Sequence, residues 1–176
     1  GEVDRAIKIH QNLIARPNLD QNQRAMALTE LAEDYLKAGL LDRAENLFKE
    51  LVQINPNNPY AQRKLFELFS LEKSWFQAEE AALVLYQLGD TDGSMILTQC
   101  YCEIAEQLLR QGNLRDAREY LNKAIHIDAQ CVRALLLLIE LHLKNDETAK
   151  ASKLLSQLLR NSPQYLELYL PPAREI

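Results

Sequence analysis

Residues 25–58 read AMALTELAEDYLKAGLLDRAENLFKELVQINPNN. In the first half of this stretch Leu28, Leu31, Ala32 and Tyr35 recur at helical spacing; in the second half Ala44, Leu47, Phe48 and Leu51 do the same. Each set makes an apolar stripe along one face of an amphipathic helix. Gly39 separates the two helices and supplies the backbone freedom of a tight reversal, and Pro56 closes the unit. Ala32 and Ala44 lack bulk where the helices must approach. One helix pair cannot bury both stripes, so neighbouring copies must cover them.

Such copies are present. Ala6, Ala44, Ala78, Ala117 and Ala151 stand 38, 34, 39 and 34 residues apart, each in a similar local pattern. Two of these spacings are the 34-residue period of the tetratricopeptide (TPR) repeat, and the other two are that period with a short insertion. The expected fold is all-α: a TPR helix-turn-helix superhelical solenoid of about four and a half repeats, a single array over residues 1–176. Its units are a half repeat at 1–17, complete repeats at 25–58, 59–92, 98–131 and 132–165, and the start of a further helix at 166–176, which Pro171-Pro172 ends or breaks. Repeats are expected to continue past both ends of the chain.

Local signals agree. Pro17 ends the first helix, Asp20 and Gln23 form a capping box, and Asn58 caps a helix that starts with Pro59. The insertions are expected at 18–24 and around Gly89, Asp90, Asp92 and Gly93. Leu65, Phe69, Trp75, Ala78 and Leu85 are the core positions of the third unit. There Phe66 takes a usually small position and Ala82 a usually large one, a swap that conserves volume. Leu135, Leu138, Ala151, Leu155 and Leu158 are the core positions of the fifth.

Composition narrows the function. Hydrophobic residues make up 47% of the chain and charged residues 26%, with 5 Gly and 6 Pro, which describes a folded soluble chain with little linker. A net charge of −5 argues against nucleic acid as the partner, because phosphate binding needs clustered Lys and Arg. No apolar run reaches the roughly 18 residues of a membrane span, so no membrane insertion by this segment is expected. The sparse cysteines, Cys100, Cys102 and Cys131, predict a reducing compartment rather than a disulfide framework.

No catalytic constellation is present: there is no Gly-rich phosphate loop, GxSxG or HExxH motif. His10, His126 and His142 lie on three different helices, and His142 falls at a packing position. Cys100 and Cys102 point about 200° apart on a helix and lack a second pair, so no metal site and no cofactor are expected here.

The informative surface is the inner face of the first helices. Its ninth position is Glu in every complete repeat: Glu33, Glu67, Glu106 and Glu140. The thirteenth is Lys37, Leu71, Arg110 and Lys144, beside Leu36, Leu109 and Leu143 at the twelfth. With Arg63, Cys102 and Arg133 these residues form the candidate partner-binding groove, suited to an extended or helical segment carrying basic and apolar groups. Glu33–Lys37, Glu106–Arg110 and Glu140–Lys144 also have the spacing of intrahelical ion pairs. The carboxylates oppose binding of an acidic chaperone tail.

GEVDRAIKIHQNLIARPNL (1–19), DYLKAGLLDRAENLF (34–48) and QCYCEIAEQLL (99–109) go beyond the general repeat. His10-Gln11 and Tyr101-Cys102-Glu103 in particular are not repeat requirements. These stretches resemble the lipopolysaccharide assembly protein B family (LapB, or YciM) of Gram-negative bacteria, with this chain as its middle TPR portion. That resemblance implies an adaptor rather than an enzyme, which helps the protease FtsH degrade the deacetylase LpxC and so regulates lipopolysaccharide synthesis. It implies a cytoplasmic location, tethered to the inner membrane by an N-terminal anchor missing here. A rubredoxin-like metal module with two Cys-x-x-Cys pairs is implied for the full-length protein. The alternatives are a scaffold for another envelope assembly complex, and a TPR arm of an enzyme whose catalytic domain is absent here. The sequence leaves the oligomeric state open.

Overall fold

The computed structural model describes residues 1–161, and the expected further helix at 166–176 lies outside them. Among the described residues there are nine helices and no strand. They are α1 (Glu2–Ile14), α2 (Gln21–Lys37), α3 (Leu41–Ile54), α4 (Pro59–Leu71), α5 (Trp75–Gln87), α6 (Gly93–Arg110), α7 (Leu114–Ile127), α8 (Val132–Lys144) and α9 (Thr148–Asn161). They fall into two compact units, one ending at Gly93 and the other starting at Ser94.

In the first unit each helix packs on the next in chain order, from α1 to α5. Ala44 and Ala78 are completely buried, and so is Phe48 beside the first of them. In the second unit α8 packs against both α7 and α9. Leu135, Ile139, Ala151 and Leu158 form one core cluster there, flanked by Ile125 and Leu154.

Every first helix ends in the same way. At α2 the Gly39 amide bonds the Leu36 carbonyl at 3.1 Å and the Leu40 amide bonds the Tyr35 carbonyl at 2.8 Å. These two bonds are a Schellman motif, which needs a left-handed residue just past the helix. The motif recurs after α4, α6 and α8, with Lys73, Gly112 and Asp146 in the place of Gly39. All four have positive φ: 72° at Gly39, 58° at Lys73, 76° at Gly112 and 57° at Asp146. The third and fifth repeats therefore make a glycine turn without glycine.

The insertions lengthen the helices that follow them. α2 already starts at Gln21, with the Asp20–Gln23 capping box in place, and α6 starts at Gly93. α2 has 17 residues and α6 has 18, against 13 in each of α4 and α8. The extra residues form about one more helical turn, which satisfies their backbone groups internally. The loop remainder before α6 is fixed by Arg63, whose guanidinium lies 2.5 Å from Asp90 and 3.9 Å from Asp92. That ion pair holds the Asp90 carboxyl below its usual range.

Two core expectations are corrected. Leu155 is exposed, because no described element covers its side of α9, and Trp75 is only half-buried at the start of α5. In the third repeat Ala82 is completely buried and Phe66 half-buried. His142 is buried, with Nδ1 2.5 Å from Glu147 just beyond α8. This is the structural role its position predicts.

Left-handed backbone costs an L-residue about 1–2 kcal/mol, partly offset by the larger unfolded-state entropy of glycine. Lys73→Gly should therefore stabilise the chain by about 0.5–1 kcal/mol. Gly39→Ala should destabilise it by a similar amount, although an added Cβ there would meet no atom within 4 Å. Denaturant midpoints of the two variants check both signs.

Candidate partner-binding surface

In the first unit Glu33 reaches the next repeat. The Tyr60 hydroxyl donates to its carboxylate at 2.7 Å, while Lys37 lies 4.0 Å away. Tyr60 occupies the second position of its first helix. Burial, together with the Glu33 bond, pushes its phenol up to about 12. Glu67 pairs with Lys64 at 2.8 Å, and Leu71 is fully exposed to solvent at 71%. Arg63 is held by Asp90 and Asp92 as described above.

The second unit repeats the ninth-to-second contact with a different residue. Arg133, at the second position of α8, lies 2.6 Å from Glu106 and 2.9 Å from Glu103. Its guanidinium resists deprotonation; burial works against the charge, but the two carboxylates outweigh it. Glu106 also holds Arg110 at 3.3 Å, and Glu140 holds Lys144 at 2.7 Å. The three expected intrahelical pairs therefore form, in addition to the contacts between repeats. Arg110 and Lys144 are largely exposed, so their pairs add little stability and their charges can be exchanged for those of a partner.

Beside Arg133 and Glu140 lies an open groove of about 630 Å³ lined by Leu136, Leu137, Leu143 and Leu155. Leu143 is 53% exposed. Apolar walls with charged groups at the rim suit an amphipathic segment. Cys102 is a candidate that is buried and faces Cys131, with which it borders a groove other than the leucine-lined one. Tyr60 and Leu155 belong to this surface or its rim and were missed. Tyr60 could have been found, because it shares the second position with Arg133.

The residues that exceed the repeat pattern make polar bridges. His10 Nδ1 lies 2.7 Å from Asp34 Oδ2, and Gln11 Nε2 donates to the Tyr35 hydroxyl at 2.9 Å. Both bridges join α1 to α2. Among the described residues no group of three or more His, Cys, Asp or Glu could hold a metal, and no helix is long and apolar enough to cross a membrane.

Residues 108–170 match the tetratricopeptide-repeat family model. The described helix pairs have the all-α fold of such repeats. It is 36% identical over 172 residues, 97% of its length, to lipopolysaccharide assembly protein B of Haemophilus influenzae. It is 32% identical over 159 residues, 90% of its length, to the protein of that name from Escherichia coli K12. It spans less than half of these relatives, 43% and 41% of their lengths. Two crystal structures of MamA align with it at a TM-score of 0.53 and 20% identity. They cover 97% and 95% of this chain, and 88% and 92% of theirs; this likeness is one of fold.

The raised Tyr60 phenol gives a pH test. A folded pKa above the unfolded value contributes stability that is present below pH ~10 and lost as pH rises through about 12. In ultraviolet titration of the folded chain the Tyr60 phenol should ionise in a late step, near 12. Tyr60→Phe should remove that late step, and Glu33→Gln should move it part of the way back toward 10. A Tyr60→Phe difference curve centred at the ordinary tyrosine value would contradict the Glu33 contact.

Proposed function

We propose that the repeats act as one array, a protein-binding adaptor of lipopolysaccharide assembly rather than an enzyme. The observation that carries this reading is the similarity to lipopolysaccharide assembly protein B along nearly the whole chain. In this reading the clients are LpxC and the protease FtsH, and the adaptor raises the effective concentration of one at the other. The work is done on the cytoplasmic side of the inner membrane, to which a part of the protein outside this chain tethers it. A rubredoxin-like metal module also belongs to that outside part. The first helices support the reading within each unit: Lys37 in the first and Arg110 and Lys144 in the second are exposed beside ninth-position carboxylates, and Leu71 and Leu143 are exposed in the first and second unit.

Binding of the chain to LpxC and to the cytoplasmic part of FtsH tests this by titration calorimetry. A variant with Glu33, Glu67, Glu106 and Glu140 changed to Lys should keep its helical circular dichroism and bind at least about tenfold more weakly, about 1.4 kcal/mol. Unchanged affinity would place the contact away from this surface. Failure of the parent chain to bind either protein would overturn the choice of clients.

A further inference from the structure

The Cys102 and Cys131 sulfurs lie 3.9 Å apart across the joint between two successive repeats. Cys102 is buried within α6, and half-buried Cys131 is the N-cap residue of α8. Cys100, two residues from Cys102, is fully buried and takes no part in this contact. The sulfurs border an open groove of about 480 Å³ that Thr98, Gln99 and Asp128 also line. The Thr98 side chain is 6% exposed, and its hydroxyl has no hydrogen-bond partner among the described residues. Thr98 and Cys102 are four residues apart on one helix and so share a face. The groove thus offers a small oxygen-bearing reagent both a thiol and an unused hydroxyl.

We propose that Cys102 and Cys131 are a redox-active thiol pair that a hydroperoxide oxidises to an intramolecular disulfide, clasping α6 to α8. Cys131 is the nucleophile. The contact with the Cys102 thiol favours its thiolate, and the backbone amides of Ala134 and Arg133 add to this. Together they outweigh burial and the nearby Asp128, and bring Cys131 down to about 6. The same contact and its deeper burial push Cys102 well above the ordinary thiol range, against the opposing charge of Arg133 and with that of Glu106. A thiolate near a helix N-terminus is the reactive form.

In the first step the Cys131 thiolate attacks one oxygen of hydrogen peroxide. An S–O bond forms, the O–O bond breaks, and the departing hydroxide takes a proton to become water. In the second step Cys102 loses its proton and attacks the Cys131 sulfur. The S–S bond forms, the S–O bond breaks, and the hydroxyl leaves with that proton as a second water. Two thiols lose two electrons and two protons, and one peroxide becomes two waters. A disulfide bond is about 2.05 Å long, so the sulfurs must close by about 2 Å from their 3.9 Å separation. The clasp would sit two residues from Arg133, and its formation does not depend on which protein the repeats bind.

The test treats the native chain with hydrogen peroxide, quenches it, and unfolds it for thiol counting and peptide mass mapping. The expected result is a fall from three free thiols to one, a loss of two hydrogens in mass, and a Cys102–Cys131 cross-linked peptide. Cys100→Ser should still cross-link. Cys131→Ser should not, while keeping its helical circular dichroism. Cys102→Ser should leave a sulfenic acid at Cys131 that dimedone traps. Three surviving thiols, a cross-link through Cys100, or further oxidation of Cys131 without a cross-link in the unmutated chain would each overturn the proposal.

Discussion

Close approach of helix pairs at a methyl-sized side chain is the constraint on which the rest of the structure depends. Ala44, Ala78 and Ala117 have no exposed surface, and Ala151 almost none. Around them Phe48, Leu51, Leu85, Leu121 and Leu158 are buried to 1% or less. A larger residue at the alanine would push the large ones apart, and interiors at crystal-like density have no slack to absorb that. The first-helix surface takes its geometry from this packing: once the pairs are locked, the second position of one first helix comes within reach of the ninth position of the one before.

Chain reversal imposes the second constraint. Four Schellman turns hold a left-handed residue at one place in the repeat, and only two of those residues are glycines. Gly39 was legible as a turn in the sequence. Lys73 and Asp146 were not, because the strain there is set by the packing of the helices on either side and not by the identity of the residue. The 34-residue period counts residues but does not say whether an extra four form a loop or one more turn, and the capping box at Asp20 already marked a helix start ahead of the repeat boundary.

The apolar framework was therefore readable from periodicity alone, while the polar bridges were not. His10-Gln11 and Tyr101-Cys102-Glu103 stood out only as residues the repeat does not require. The structure gives them partners: Asp34 and Tyr35 for the first pair, Cys131 and Arg133 for the cysteine and glutamate of the second. These partners are 24 to 30 residues away in the chain, and no helical period predicts such a match.

In the proposed adaptor a partner lies along the first helices. Hydrogen exchange of the chain alone and with bound LpxC tests that claim most directly. The account predicts slowed exchange in α4 and α8, around Tyr60 and Arg133, with the second helices α3, α5, α7 and α9 little changed. Protection confined to those second helices would contradict it.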